Sequence, residues 1–332
     1  MATNGTSGLA IFAGRNNKLL AERICSSPAI NQPLSISKTE VFPDKELIVR
    51  IDEDVRGKDC YIILSTCQPV NDNLVELLIF IDCLRRASAK QIVCVIPYYG
   101  YARQDRKEQG RVPISAKLVA NMVTAAKADR VITIDLHAAQ IQGFFDIPVD
   151  HLHATPVFLD YFESIRDELG DLCLVSPDVG NVKVAEGFAN LLDADLAIIN
   201  KKRINGSEIK SSQIIGDVKG KNVLMFDDMI STAGTILGAA KLVKENGAKE
   251  VTVAATHPLF AHPAVDRLAD DIISRVVCTD TIPAGNRLDV IEKLGNKYVE
   301  LSVSNLIGEA IMRVHENRSI SELFLRTAGV KR

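Results

Sequence analysis

Residues Asn222 to Lys241 read NVLMFDDMISTAGTILGAAK. The apolar run Val223 to Phe226 predicts a buried strand of a parallel sheet, because both faces of such a strand are covered. The paired carboxylates Asp227 and Asp228 follow, and then the small-residue turn Ser231-Thr232-Ala233-Gly234-Thr235. Ile236, Leu237, Ala240 and Val243 then recur at helical spacing, up to a stop signal at Asn246-Gly247. A strand that feeds a helix through Ser, Thr and Gly presents backbone N–H groups and hydroxyls at a helix N-terminus, where a phosphate monoester can be held. Acids at the carboxyl end of the strand can face sugar hydroxyls or a Mg²⁺ ion. A plain strand-to-helix turn capped by Ser or Thr uses the same letters, and it is the adjacent Asp pair that favours the binding reading.

DDMISTAGT resembles the ribose-5-phosphate-binding loop shared by phosphoribosyltransferases and phosphoribosyl-pyrophosphate (PRPP) synthetases. The rest of the chain decides between those two. Its 332 residues suit two domains, and 47% hydrophobic with 24% charged residues describes a globular protein. A net charge of −3 argues against a general nucleic-acid or membrane-surface binder. Cysteines at 25, 60, 67, 83, 94, 173 and 278 form no C-x-x-C pair and sit mostly in apolar runs, as reduced core thiols of a cytoplasmic protein do. Leu9 to Ala13 is too short for a signal core, and no run reaches a membrane-spanning length.

In the first half, Leu9–Ala13, Ile48–Ile51, Tyr61–Ser65, Ile92–Ile96 and Val131–Leu136 read as strands. Asn17–Cys25, Leu74–Ala87 and Ser115–Ala126 read as helices, so a mostly parallel α/β sheet is expected, with ligands beyond the strand carboxyl ends. Phe42-Pro43-Asp44-Lys45-Glu46 offers an aromatic face and two acids, which can stack a base and accept hydrogen bonds. By themselves these letters fit a solvated turn better. Residues 98–111, YYGYARQDRKEQGR, carry Arg103, Arg106, Lys107 and Arg111 among three tyrosines and suit a nucleotide polyphosphate. Thr133 to His137 ends a strand with a His that is a plausible Mg²⁺ or phosphate partner, although a lone His is more often structural.

These three segments resemble PRPP synthetases in order. The first is similar to that family's F-S-D-G-E, which binds the adenine of ATP and reaches a neighbouring subunit; Phe42, Asp44 and Glu46 match, while Pro43 and Lys45 depart. IPYYGYARQDRK matches almost letter for letter, is lacking in phosphoribosyltransferases, and implies that Arg103 and Gln104 contact ATP. D-L-H-A-x-Q-I-Q-G-F-F-D is matched from Asp135 and assigns His137 to the Mg²⁺–ATP site. It also associates Gln142 with a regulatory nucleotide pocket at a subunit interface.

From Thr155 the pattern restarts, with strands expected at Leu172–Ser176, Ala194–Asn200, Val223–Phe226 and Glu250–Thr256, and helices at Lys183–Leu192 and Thr235–Asn246. Asp178 lies on a turn after a strand, a candidate metal ligand as much as an ordinary turn residue. The resemblance gives S-P-D-x-G-G followed by Arg, where this chain has Asn181 and Lys183. Asn200-Lys201-Lys202-Arg203 precedes the polar stretch INGSEIKSSQ, read here as a basic loop able to close over polyphosphate or as a solvated charge run. The resemblance places a Lys and an Arg there as transition-state contacts, at Lys201 and Arg203. It also has a third Asp where this chain carries Ser231.

The resemblance implies an α/β protein of two phosphoribosyltransferase-like domains, each a mostly parallel sheet flanked by helices. Expected boundaries are 1–153 with 306–332 for the first domain, which supplies ATP and oligomer contacts, and 154–305 for the second, with a final helix Glu309–Asn317 returning to the first. It further implies a Mg²⁺-dependent ribose-phosphate pyrophosphokinase acting on ATP and ribose 5-phosphate in the cytoplasm. Asp227 and Asp228 would hold ribose hydroxyls, Ser231, Thr232, Ala233, Gly234 and Thr235 the 5-phosphate, and His137 and Asp178 would flank the metal. Self-association into dimers and hexamers is implied, with ADP as inhibitor and phosphate as activator, and Arg56, Ser88, Gln142, Ser319, Ser321 and Phe324 as regulatory positions. Two other readings stand beside this: a catalytically weak regulatory subunit, motivated by Lys45, Asn181, Lys183 and Ser231, and a nucleobase phosphoribosyltransferase.

Overall fold

Leu9–Ala13 (β1) opens the first sheet as a strand buried along nearly its whole length. The structure, a computed structural model, describes residues 8–177, 182–204, 208–285 and 287–324, without the side chains of 201–204, 208–212 and 324. The described residues divide into two compact units, one holding 8–154 together with 302–324, the other those between Thr155 and Leu301.

In the first unit, Lys18–Cys25 (α1) follows β1, and Ser37–Val41 (β2) pairs antiparallel with Leu47–Ile51 (β3) as a separate hairpin. Asp59–Ile63 (β4), Gln91–Ile96 (β5), Arg130–Ile134 (β6) and Val149–Leu152 (β7) complete a five-stranded sheet of order β1-β4-β5-β6-β7, parallel throughout. Its strands read as continuous apolar runs because both faces are covered. On one face Val70–Arg86 (α2) buries Leu74, Leu77, Phe80, Ile81 and Leu84, and Ser115–Ala125 (α3) buries Val119 and Val123. Each such side chain withdrawn from water is worth about 1.5–3 kcal/mol, so this face is a principal anchor of the unit.

Thr155–Ser164 (α4) and Arg166–Leu169 (α5) begin the second unit. Leu172–Ser176 (β8), Val182–Leu191 (α6), Asp195–Ile204 (β9), Glu208–Ile215 (β10), Asn222–Ile230 (β11), Gly234–Glu245 (α7) and Glu250–Pro258 (β12) follow. Ala264–Leu268 (α8), Arg275–Thr279 (β13), Leu288–Leu294 (α9) and Tyr298–Leu301 (β14) complete a seven-stranded sheet of order β10-β9-β8-β11-β12-β13-β14. Among the described residues of this sheet only the β9–β10 pair is antiparallel. Ser304–His315 (α10) then belongs to the first unit, where Tyr61 donates its hydroxyl to the Ile311 carbonyl and His315 Nδ1 lies 2.8 Å from Asp59 Oδ2.

Several boundaries differ from the sequence reading. β11 does not stop at Phe226; it runs on through Asp227 and Asp228 to Ile230, because β12 continues alongside it, with Asp227 opposite Ala255 and Ile230 opposite Pro258. The basic residues after Asn200 do not form a loop: 201–204 are extended. β9 extends through Lys201 and Arg203 and pairs with β10, Lys201 opposite Ser212 and Arg203 opposite Ile209. The last helix starts at Ser304 rather than Glu309, its first N–H accepted by the Ser302 hydroxyl at 3.3 Å. It ends before Asn317, whose φ of +56° suits an amide side chain better than a branched one.

Candidate active site

The second sheet reverses its chain order between β8 and β11. From β8 the chain moves outward through β9 to β10, then returns to β11 on the other side of β8. Ligands of open α/β sheets collect at such a reversal, outside the carboxyl ends of the strands. The β8–β11 ladder runs only from Asn222 opposite Leu172 to Leu224 opposite Leu174. Beyond it both strands continue, β8 to Ser176 and β11 to Ile230, so the crevice begins where the ladder ends.

The residues on β11 are held firmly at this point. The Phe226 ring lies 4.2 Å from that of Phe188 on α6 and 4.7 Å, edge-on, from that of Phe158 on α4. The next two residues, Asp227 and Asp228, are half-buried, and Asp227 Oδ1 accepts the Asp228 N–H at 2.9 Å. Ser231 is half-buried, Thr232, Gly234 and Thr235 are exposed, and Ala233 is buried with φ +57°. That left-handed residue turns the chain from strand into α7, whose first helical bond is Leu237 N–H to the Ala233 carbonyl at 3.0 Å. The N–H groups of Gly234, Thr235 and Ile236 precede that bond, which leaves the helix N-terminus able to receive an anion. Sequence reasoning missed Arg267. It reaches from α8 to donate from a guanidinium N–H to the Thr232 carbonyl at 2.8 Å, and adds a positive charge beside the cradle. No short motif marks it; its place follows only from the packing of α8 after the β12 turn.

In the first unit the tyrosine-rich stretch divides its labour. Tyr98 and Tyr99 are buried, so they are not stacking platforms for a base; Tyr99 donates its hydroxyl to the Ala116 carbonyl at 2.9 Å. Gly100 sits against the neighbouring strand end, its N–H on the Thr66 hydroxyl at 2.7 Å, and a Cβ there would lie 2.4 Å from the Thr66 carbonyl. Beyond this anchor Arg103, Gln104, Arg106, Lys107 and Arg111 are all exposed. Gln104 accepts the Ser115 hydroxyl through its side chain, and its carbonyl accepts the Ala116 N–H at 3.2 Å. Gln140 ties the loop to the next strand end by donating to Asp105 at 2.8 Å.

That next strand end is Asp135-Leu136-His137. Asp135 has φ +38°; its carboxylate accepts the Ala154 N–H at 3.1 Å and lies 2.9 Å from His153 Nδ1. The same contact raises the His153 pKa above its ordinary value. His137 is exposed at the tip. At the end of the β2–β3 hairpin, Phe42, Asp44 and Glu46 are exposed, with Phe42 N–H donating to the Glu46 carbonyl at 2.8 Å. Lys45, one of the two departures from the family's F-S-D-G-E, adopts φ +78°, a left-handed geometry that glycine takes more readily. Asp178 and Asn181 lie outside the described residues, as do the side chains of Lys201 and Arg203.

The chain matches the family model for the N-terminal domain of ribose phosphate pyrophosphokinase over residues 9–126 and that for the phosphoribosyl synthetase-associated domain over residues 205–325. It is 54% identical over 317 residues to the ribose-phosphate pyrophosphokinase of Rhodopirellula baltica, covering 95% of this chain and 98% of that one. The namesake from Gloeobacter violaceus is 49% identical over 321 residues, covering 96% and 94%. The crystal structure of phosphoribosylpyrophosphate synthetase from Mycobacterium smegmatis superposes with a TM-score of 0.85 at 42% identity, covering 93% of this chain and 99% of that one.

The chain belongs to the ribose-phosphate pyrophosphokinase family. Its fold is therefore that of a PRPP synthetase, α/β with parallel sheets flanked by helices. The positions that the family resemblance marks as regulatory fall into two groups. Gln142 and Ser321 line one cavity of about 630 Å³ in the first unit, with Arg130, Asp150, His151 and His153. Ser319 lies beside them in sequence and accepts an Arg313 N–H through its carbonyl at 2.7 Å. Arg56 and Ser88 are exposed elsewhere, joined by the Gly57 N–H on the Ser88 carbonyl at 3.1 Å. The Phe324 side chain lies outside the described residues.

Proposed function

We propose that this chain transfers the pyrophosphoryl group of Mg²⁺–ATP to the C1 hydroxyl of ribose 5-phosphate, giving PRPP and AMP for nucleotide biosynthesis. The observation that carries the reading is end-to-end similarity to proteins named ribose-phosphate pyrophosphokinase, 54% identical over 317 residues in the Rhodopirellula case. The Asp pair and anion-ready helix N-terminus of the second unit fit a sugar phosphate, and the exposed basic loop of the first unit fits a triphosphate.

In this reaction the C1 hydroxyl gives up its proton to solvent and its oxygen forms a bond to the β-phosphorus, while the bond from that phosphorus to the α–β bridging oxygen breaks and AMP departs with the bridging oxygen. Positioning and charge neutralisation supply most of the rate of such transfers. Asp227 and Asp228 accept hydrogen bonds from the ribose hydroxyls. Ser231, Thr232, Ala233, Gly234 and Thr235 hold the 5-phosphate through hydroxyls and backbone N–H groups, with Arg267 fixing the turn. Phe42 stacks on adenine, Asp44 and Glu46 accept from its polar edge or ribose, and Arg103 and Gln104 contact the phosphates. Lys201 and Arg203 stabilise the charge on the group in transit.

Asp227 and Asp228 fit Mg²⁺ as half-buried carboxylates, the oxygen donors that this hard cation prefers, and His137 and Asp178 are proposed as its further partners. When bound, the ion neutralises phosphate charge and holds the triphosphate in one geometry. We further propose assembly into dimers and hexamers in the cytoplasm, with inorganic phosphate as an activator. Among the described residues no helix is long and apolar enough to cross a membrane. Incubation of the purified protein with Mg²⁺, ATP and ribose 5-phosphate tests the reaction: AMP and PRPP are expected in equal amounts, and failure to form either overturns it.

A further inference from the structure

Asp135, His151 and His153 form a second cluster of donors, and one of a different chemical kind. His151 and Leu152 close β7, with His151 opposite Thr133 and Leu152 opposite Ile134 in the parallel ladder, so Asp135 and His153 both emerge just beyond the paired ends. His151 and His153 are two apart along an extended chain and therefore project to the same side. Their rings are 4.6 Å apart between centroids. One donor atom from each of the three residues lies within 4.8 Å of the other two.

From this geometry we infer a binding site for a first-row transition-metal dication, with Zn²⁺ as its representative, held by Asp135, His151 and His153. Two imidazoles and one carboxylate are the ligand types that such ions take, whereas Mg²⁺ favours an all-oxygen shell. Ligand atoms around a tetrahedral ion at about 2.0–2.1 Å stand roughly 3.4 Å apart. His153 Nδ1 and Asp135 Oδ1, at 2.9 Å, are already inside that spacing. No separation among the three exceeds 4.8 Å, so none is more than roughly 1.4 Å beyond that spacing, and the His153 side chain, 47% exposed, has room to adjust.

The backbone prepares the site. Asp135 is held in a left-handed conformation at the strand end, and its other carboxylate oxygen accepts the Ala154 N–H at 3.1 Å, which fixes the plane of the group. His151 Nε2 accepts the Leu136 N–H at 2.9 Å, so its lone pair already points to the Asp135–His137 turn, and an ion binding there takes the place of that N–H. Both histidines also line the 630 Å³ cavity, which gives an ion a route in and water a place to complete its shell. The site's donor set, two imidazoles and one carboxylate, differs from the two carboxylates Asp227 and Asp228, and Zn²⁺ binding to it can be read without the proposed reaction.

The test is a Zn²⁺ titration of the full chain, stripped with a chelator and then held in excess Mg²⁺, read by competition with a chromophoric zinc indicator. One equivalent per chain is expected. His151→Asn and His153→Gln should each weaken binding at least tenfold with circular dichroism unchanged, and exposed His262→Ala should leave it intact. Co²⁺ in place of Zn²⁺ should give visible d–d absorption that both His variants lose. Absence of a Zn²⁺ equivalent in the unsubstituted chain, or its persistence in both His variants, overturns the proposal.

Discussion

Ser231 stands at the position where the family resemblance has a third carboxylate after the Asp227–Asp228 pair, and it is half-buried at the start of the cradle. Restoring the acid by Ser231→Asp is expected to tighten ribose 5-phosphate binding by roughly two- to tenfold, about 0.4–1.4 kcal/mol, through one more charge-assisted acceptor for a sugar hydroxyl. Calorimetry in the presence of Mg²⁺ checks this, and unchanged affinity shows the departure to be neutral. Lys201 and Arg203 have a different signature. If they meet charge only as it develops, Lys201→Ala or Arg203→Ala lowers kcat by roughly 10²–10⁴-fold with little change in KM. A rise in KM at constant kcat defeats that role. Gly100 is a third residue with a sharp expectation. A methyl group 2.4 Å from a backbone carbonyl cannot be relieved by a rotamer change, so Gly100→Ala costs about 1–3 kcal/mol, read as a lower denaturation midpoint in urea.

At the scale of elements, the two sheets differ in a way that explains where the cradle lies. The first runs in one direction from β1 to β7 and has no reversal of chain order; the second reverses between β8 and β11, and the cradle follows β11 there. The strand β11, its Asp pair and α7 were legible in residues 222–246, because an apolar run, a Gly-containing turn and a helical period follow one another without interruption. The antiparallel β9–β10 ribbon was not. Lys201, Lys202 and Arg203 carry no alternation of apolar and polar residues, so their extension depends on pairing with β10, a tertiary preference invisible to local pattern. The burial of Tyr98 and Tyr99 was no more legible, because a partner such as the Ala116 carbonyl, which takes the Tyr99 hydroxyl, comes from α3. Arg267 was missed because α8 is only five residues long. Its loss is a test of element-level support: Arg267→Ala removes a bond to the turn and should raise KM for ribose 5-phosphate roughly three- to tenfold, about 1 kcal/mol, with kcat nearly unchanged.

For the whole molecule, the seven thiols set an alkaline limit. All are free, and every one but the partly exposed Cys83 is buried. Burial pushes the thiols of Cys25 and Cys60 up from 9.0 to about 12, because a thiolate cannot be solvated in either position. Between those values the unfolded chain releases protons that the folded chain retains. Stability is thus fully present below pH 9.0 and declines as pH climbs toward about 12. Urea midpoints measured at about pH 8 and about pH 10 should fall between the two, and iodoacetamide should label these positions only after unfolding.

The return of α10 to the first unit also governs the order in which a ribosome can deliver a finished protein. Its Gly308 packs so closely on Ser27 that a Cβ would meet that hydroxyl at 2.4 Å, and His315 joins Lys90 as a partner of buried Asp59. A nascent chain halted after Ala154 has made all five strands of its first sheet yet leaves Ile307, Ile311 and Met312 unsynthesised and the α1 side uncovered. Of the two units, the one that starts first is thereby sealed last, and the second unit, uninterrupted from Thr155 to Leu301, can complete itself while the first still waits for its lid.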